Sequence, residues 1–322
     1  MPMTNEELAN RTDFAIGNLT SSSGLLNPEQ ANKFIDFIQE QPTILNQVRT
    51  VRMNAPTRKI DRMGFSSRIM RVAPQGTPPH ADDAGANDRY LPAADRAAPS
   101  TTQIELNTSE YMAEVHIPYE VLEDNLERGN FEDHIMRQIA EKVAEDLEEL
   151  ALGGDTGSGD TYLASKDGYL KRMVSNVYDN VSAGINPDVF ENGMLTMPQK
   201  YLRNLAKLKH YVSTANTIKY RGEVAKRATG YGDSMLTQDG ALYAYGVGVE
   251  AASMIGAPSG VTNGINNMGF FTFPSNLLWG IQRQVQIETD RDIRSRQHII
   301  VVTTRIDFQI DDEAACVKYI NI

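Results

Sequence analysis

Cysteine is all but missing from this chain. Cys316 stands alone, which rules out an intrachain disulfide and any cysteine-built zinc site. Long apolar runs are missing too. Nothing approaches the ~20 residues that a membrane-spanning helix needs, and the opening MPMTNEELANRTD is polar and acidic where an export signal would be basic and then apolar. A soluble intracellular product is the expectation. Positive charge is in short supply: 31 lysines and arginines face 42 acidic residues, a formal net charge of −11. Most of the surface therefore repels phosphate, and the counterion release that drives nucleic-acid binding is unfavourable there. Sequence-specific DNA recognition is disfavoured, although a local basic patch could still touch DNA. No repeat of fixed period is visible, which removes solenoids and propellers.

What is present suits a folded, mixed protein. With 322 residues, 41% of them hydrophobic, the chain can bury a sizeable core and is long enough for roughly two domains. Residues 1–23 are rich in Asn, Thr and Ser without helical periodicity and read as an arm. Asn27 and Pro28 then make a helix start, an N-cap followed by proline at the first helical position. Ala31, Phe34, Ile35 and Ile38 come next at i, i+3, i+4 and i+7 as one apolar stripe, and Pro42 ends the helix.

Residues 56–72, PTRKIDRMGFSSRIMRV, read as a charged extended strand. A second extended stretch, 101–117, ends in alternation, with Tyr111, Ala113, Val115 and Ile117 against Met112, Glu114 and His116. The segment between them holds five of the 14 prolines and almost no bulky apolar residue. A loop this long without its own core is either disordered or ordered by a partner. The spacing next predicts a helix from Asn130 to Leu152, its buried stripe made of Phe131, Ile135, Ile139, Val143, Leu147 and Leu150. Glu141, Glu145 and Glu149 occupy the opposite face, and Gly153 and Gly154 stop the helix. A further helix is expected over Thr196–Leu208, with Leu202, Leu205 and Leu208 on one face. The remainder is strand-like and closes on two β-rich runs, 298–310 and 314–322, separated by Asp311, Asp312 and Glu313.

Signatures of chemistry are absent. The stretch Gly153–Thr161 is glycine-rich, but no lysine follows its glycines until Lys166, so it lacks the phosphate-gripping lysine of a Walker loop. Asp155 and Asp160 lack calcium-loop spacing and its terminal glutamate. The five histidines form no H-E-x-x-H pair, no G-x-S-x-G elbow occurs, and Cys316 in an apolar setting reads as an inert core residue. His116 reads as structural. No catalytic, cofactor or metal site is expected. The mixed-sign run Glu288–Arg296 is open to two readings, a solvated salt-bridged surface or a complementary contact between subunits.

The order of elements resembles the major capsid proteins of tailed bacteriophages, the Hong Kong 97-type fold shared with encapsulin shells. The segments that carry the resemblance are the long-helix stretch Glu141–Gly159 with its LALGGDTGSG ending, and the terminal run Arg305-x-Asp-Phe through Ala314-Ala315. The resemblance implies an α+β fold with an N-terminal arm at 1–27 and the start of a peripheral domain at 28–54. An extended hairpin loop would come next at 55–118, the peripheral domain with its spine helix at 119–184, an axial domain at 185–295, and returning strands at 296–322. It implies a non-enzymatic shell subunit, assembling in the host cytoplasm as pentamers and hexamers around packaged double-stranded DNA. Scaffolding, portal and decoration proteins would be its partners, with no cofactor and no membrane. The alternative is an encapsulin-like compartment for cargo enzymes; a hydrolase with an unrecognised site is a third class. The residues expected at assembly interfaces are Asp290, Arg291, Asp292, Arg294 and Arg296 in the charged run, with Pro78, Pro79, Asp82, Asp83, Arg89 and Arg96 in the loop. Too few residues precede the capsid-like pattern for a built-in scaffold, so a separately encoded one is expected.

Overall fold

The computed structural model describes residues 44–65, 68–70, 96–120, 131–181, 184–226, 241–256, 265 and 267–322. The chain divides into two compact units, Met1–Pro56 with Asn107–Ile322, and Thr57–Leu106. In chain order the elements are β1 (Arg49–Arg52), β2 (Thr57–Gly64), β3 (Ser100–Asn107), β4 (Ser109–Pro118), α1 (Phe131–Gly153), α2 (Tyr169–Arg172), β5 (Val177–Asp179), α3 (Pro187–Thr196), β6 (Lys209–Ser213), α4 (Thr214–Ala225), β7 (Leu242–Ala244), β8 (Val247–Ala252), β9 (Gly269–Thr272), β10 (Leu277–Asp292), β11 (Gln297–Ile310) and β12 (Val317–Ile320).

The first unit contains two sheets. The four-stranded one has the order β1-β10-β11-β4, with β1 parallel to β10 and the other pairs antiparallel. Its central strand β11 is dense in β-branched residues, which fit a half-buried pleat. Ile300, Val302, Thr304 and Ile306 point inward and are buried, while positions 299, 301, 303 and 305 are half-exposed. The six-stranded sheet runs β5-β12-β9-β6-β8-β7 and is apolar on both faces. Tyr211 and Phe270 point into a core shared with Leu147 and Leu150 of α1 and with Ile306 and Phe308. Val212, Phe271 and Tyr319 point the other way, into a second core with Phe190 of α3 and Tyr220 of α4. The alternation of one strand thus feeds two cores, and β9 is buried along its whole length. β10 belongs to the four-stranded sheet although it lies within 185–295, so the crossing between the sheets precedes residue 295.

The long helix runs over Phe131–Gly153, with Ile135, Leu147 and Leu150 buried and Val143 packed partly against the core. Of the expected acidic face, Glu145 and Glu149 are buried and Glu141 is half-exposed, and Glu148 beside them is buried as well. Each buried carboxylate needs compensation, and two examples are visible. Glu148 Oε1 accepts the Ile44 amide at 2.9 Å, and Lys142 meets Glu145 at 3.0 Å and Asp146 at 3.2 Å. The helix expected over 196–208 is also corrected. Met197, ahead of Pro198, is extended (φ −74°, ψ 137°) and ends α3, because proline clashes with a helical predecessor. The chain then enters a 3₁₀ stretch, Leu202–Lys207, broken at Asn204 (φ −133°, ψ 78°).

The second unit contains the two-stranded ribbon β2–β3. Among the described residues of the expected strand over 56–72, pairing runs over Thr57–Gly64, and the expected stretch over 101–117 is two strands broken at Thr108. Met63, Phe65, Ile69 and Met70 are 75%, 54%, 52% and 83% exposed, so the ribbon carries apolar side chains without covering them.

Two glycine-to-alanine changes should have opposite signs. At Gly193 of α3 a Cβ would lie 2.0 Å from Cε1 of Tyr319, whose ring is fully buried and whose hydroxyl bonds His210. Gly193→Ala should cost about 1–3 kcal/mol by overpacking. At Gly222 of α4 a Cβ meets nothing within 4 Å, so Gly222→Ala should gain about 0.5–1 kcal/mol of helix stability. Denaturant unfolding of unassembled subunits measures both, and equal effects would refute the packing account.

Candidate functional site

The two points where the first unit gives way to the second, Pro56 and Asn107, are tied to its framework. Thr108 donates its amide to the Pro56 carbonyl at 2.8 Å, and its hydroxyl donates to the same carbonyl and to Gln282 Oε1 at 2.8 Å. The Asn107 amide donates to Asp307 Oδ2 at 2.5 Å. Lys166 Nζ lies 3.3 Å from Asp307 Oδ1 and donates to the Asn107 carbonyl and to Ser109 Oγ. Asp307 is 2% exposed and also accepts the Phe308 amide at 2.9 Å. Burial holds its carboxyl above the usual carboxylate range, against the opposing pull of the Asn107 amide and the Lys166 ammonium. Lys166 is brought there by two glycines. A Cβ on Gly154 would meet the Lys166 carbonyl at 2.4 Å, and one on Gly168 would meet the Ala151 carbonyl at 2.7 Å. Only side chains of hydrogen let the loop after α1 close so tightly.

The outer face of the four-stranded sheet is built by register. Arg305 pairs with Glu110, Thr303 with Met112, Val301 with Glu114 and Ile299 with His116. On the other side Arg305 pairs with Arg283, Val301 with Glu288 and Ile299 with Asp290. Two irregularities in β10, on either side of Arg283, put that arginine on this face and then restore the phase. Glu110 is consequently gripped by two guanidiniums, Arg305 at 2.6 Å and Arg283 through its Nη2. Hydrogen bonds from Arg305 first, then Arg283, hold its carboxyl below the usual range. Further out the face turns acidic with Glu114, Glu288 and Asp290, and His116 bridges Glu114 Oε1 (2.6 Å) and Gln297 Oε1 (3.0 Å).

The expected interface residues fall into two groups. Asp290, Arg291 and Asp292 end β10, and Arg294 and Arg296 lie in the turn before β11. Asp292 shapes that turn, accepting the Arg294 amide at 2.9 Å and the Ser295 hydroxyl at 2.7 Å, which lower its pKa, the Ser295 hydroxyl bond foremost. Arg296 takes a left-handed conformation (φ 56°), and its carbonyl accepts the Tyr119 amide at 2.9 Å. Among the described residues no ion pair joins the charges of this run to one another. Pro78, Pro79, Asp82, Asp83 and Arg89 lie outside the described residues; Arg96 is exposed, shortly before β3.

Side chains that invite a chemical reading have other occupations. Asp155 accepts the Gly157 amide and meets Lys171 at 3.1 Å, and Asp160 accepts the Tyr162 amide; both close turns. Cys316, directly before β12, is buried among Thr272 and Asn276, and burial pushes its thiol up to about 12. His210 is buried between Phe271 and Phe190, where desolvation holds its pKa down to about 3.

Asp307→Ala should cost about 3–5 kcal/mol, because it strands a buried amide and an ammonium. Asp307→Asn, which keeps an acceptor oxygen, should cost less. The folded pKa of Asp307 lies above its unfolded value, so acidification from that raised pKa into the ordinary carboxylate range relieves a burial penalty. Wild type should therefore gain stability relative to Asp307→Asn as pH falls through that window. Urea melts of both proteins across pH test this, and a shift in favour of the variant would refute it.

The profile of the phage capsid family matches residues 23–320. YqbE of Bacillus subtilis (strain 168), a prophage capsid protein by its name, is 34% identical over 325 residues, covering 99% of both chains. Among solved structures, the capsid of a native GTA particle aligns with a TM-score of 0.62 at 14% identity, over 95% of this chain and 99% of that one. Microbacterium phage Oxtober96 aligns at 0.61 and 13%, over 94% and 97%. Gordonia phage Cozz aligns at 0.61 and 12%, over 99% and 97%. Likeness at such identity shows the fold, an α+β capsid fold of the Hong Kong 97 type. No described helix is long and apolar enough to cross a membrane. The chain belongs to the phage capsid family, and as such it is a structural component of the virion shell and not an enzyme.

Proposed function

We propose that copies of this chain assemble as pentamers and hexamers into an icosahedral shell that encloses packaged double-stranded DNA. In this reading 1–27 and the loop of 55–118 reach adjacent copies, 119–184 forms the peripheral domain around α1, and residues of 185–295 meet around the axes. The observation that carries it is the ribbon β2–β3 and the residues after it. Met63, Phe65, Ile69 and Met70 are exposed there with no core of their own, and burying four such side chains against a neighbour would contribute on the order of 1.5–3 kcal/mol each. The acidic balance of the chain, −11, fits a container that encloses DNA without gripping it along its length. Scaffolding and portal proteins fit as partners, since one chain type does not by itself set shell size or provide an opening. Electron microscopy of the protein produced together with its scaffolding protein tests the reading, and particles no larger than a few subunits would refute it.

The charged run Glu288–Arg296 is proposed to supply ion pairs between copies, because its charges are not joined to one another among the described residues. Reversing Arg294 and Arg296 to Glu should impair shell formation, and more severely at low salt, where screening is weak. Normal shells at every salt concentration would show the run to be merely solvated. Deleting 76–98 should leave a folded subunit that fails to assemble, read by circular dichroism and microscopy together.

A further inference from the structure

Positive charge is scarce in this acidic chain, and it is not spread evenly. Residues 197–226 hold seven lysines and arginines against Glu223 alone, in a protein whose total is −11. Folding gathers these charges. The 3₁₀ stretch Leu202–Lys207 packs through Leu202, and α4 through Tyr220 and Val224, against the same core, on one side of the six-stranded sheet. β6 leads away from the 3₁₀ stretch, and α4 begins directly at its end. The helix then returns along the sheet. The Tyr220 hydroxyl donates to the Tyr243 carbonyl at 3.4 Å, Tyr243 pairs with Gly248, and Gly248 pairs with Lys209 at the start of β6. Lys219 and Arg221, on either side of Tyr220, are thereby brought back to the level at which the 3₁₀ stretch ends.

Little of this charge is cancelled. Lys209 meets Glu250, and Lys226 meets Glu223. Lys200 lies 4.5 Å from the ring centre of Tyr201, and Lys219 donates to the neutral Asn216 side chain at 3.4 Å; neither contact removes a charge. Arg203 and Lys207 are exposed and make no ion pair among the described residues. Like charges gathered in this way repel one another and do nothing to hold the subunit together. Their use lies toward a polyanion outside it.

We propose that this face binds the phosphate backbone of double-stranded DNA without regard to sequence. The inference rests on the reading of the protein as a DNA-enclosing shell subunit and adds to it the place of contact. The acidic remainder of the surface holds duplex off, and this face admits it. Ammonium and guanidinium groups on flexible stems position a backbone and read no base. The scale agrees: α4 spans about 18 Å, against which one strand presents about five phosphates at ~3.4 Å of axis each. An acidic protein is the less suitable partner. Leu205 and Ile218 are the only large apolar side chains exposed in this stretch, which is little for the apolar centre of a protein interface, whereas phosphate contact needs none.

The test uses unassembled full-length subunits and short DNA duplexes of two unrelated sequences, followed by fluorescence anisotropy between about 50 and 200 mM salt. Wild type should bind both duplexes alike, with an affinity that falls steeply as salt rises. Arg203→Gln with Lys207→Gln and Lys219→Gln should lower the slope of log affinity against log salt by roughly one for each contact removed. At the low-salt end the same variant should bind at least about tenfold more weakly. Arg203→Lys with Lys207→Arg and Lys219→Arg keeps the charge and should bind as wild type does, which guards against a glutamine variant that merely misfolds. No binding by wild type at the lowest salt would overturn the proposal, as would equal binding by the glutamine variant or a strong preference for one duplex. Displacement of the duplex by polyglutamate at equal charge would overturn it too and assign the face to an acidic protein. Electron microscopy decides the shell reading separately. Shells whose subunits bind DNA no differently in the glutamine variant would sink the site alone, whereas the absence of shells would sink the reading beneath it.

Discussion

The buried pair of Lys166 and Asp307 is the constraint around which the first unit is organised. Such pairs are costly unless every remaining donor and acceptor is satisfied. Here Asp307 takes the Asn107 amide, its own neighbour's amide and the ammonium, while Lys166 also serves the Asn107 carbonyl and Ser109. Three parts of the first unit distant in sequence are joined by one carboxylate: the loop after α1, Asn107 and β11. The glycines at 154 and 168 belong to the same arrangement, because without their close approach Lys166 could not arrive. The two segments that carry the family resemblance, LALGGDTGSG and Arg305-x-Asp-Phe, are therefore two halves of a single junction.

Around that junction the structure sorts its polar groups by burial. Where water is excluded, each visible charge has a specific partner, as with Glu148 and the Ile44 amide or Glu145 and Lys142. Where β10 runs on beyond β1, from Gln284 to Arg291, every residue is exposed, and opposite charges succeed one another without pairing. The first pattern suits a rigid body. The second suits a surface completed by something else.

Much of the fold is legible in the sequence. The long helix, its glycine stop, the alternation of 111–117 and the terminal β runs all arise from period and from residues with one conformational use. Four things are not legible, each for a physical reason. The burial of Glu145 and Glu149 on the acidic face of α1 is hidden because sequence shows like charges four apart but not the packing that covers them. The region 196–208 looks helical because leucine spacing outweighs the effect of Pro198 on Met197. The cluster of Glu110, Arg283 and Arg305 depends on two irregularities in β10 that alter register by single residues, and no local pattern announces them. The junction residue Asp307 is visible only as part of a resemblance, because a lone aspartate in an apolar strand gives no hint of its partner.

The pairing of β1 with β10 and of β4 with β11 also bears on how the protein is made. Arg49 pairs with Leu278, and Ser109 with Ile306, so the four-stranded sheet draws its edges from the first part of the chain and its centre from the last. Contacts this far apart in sequence close slowly, since the entropy of a long loop must be lost before any pairing repays it. While the ribosome is still synthesising the middle of the chain, β1 and β4 have no strand to pair with, and the apolar side chains meant for the first core remain uncovered. The half-made subunit is therefore a client for chaperones. A chain interrupted before β10 lacks both central strands of the four-stranded sheet, so the topology itself keeps truncated products from completing the first core.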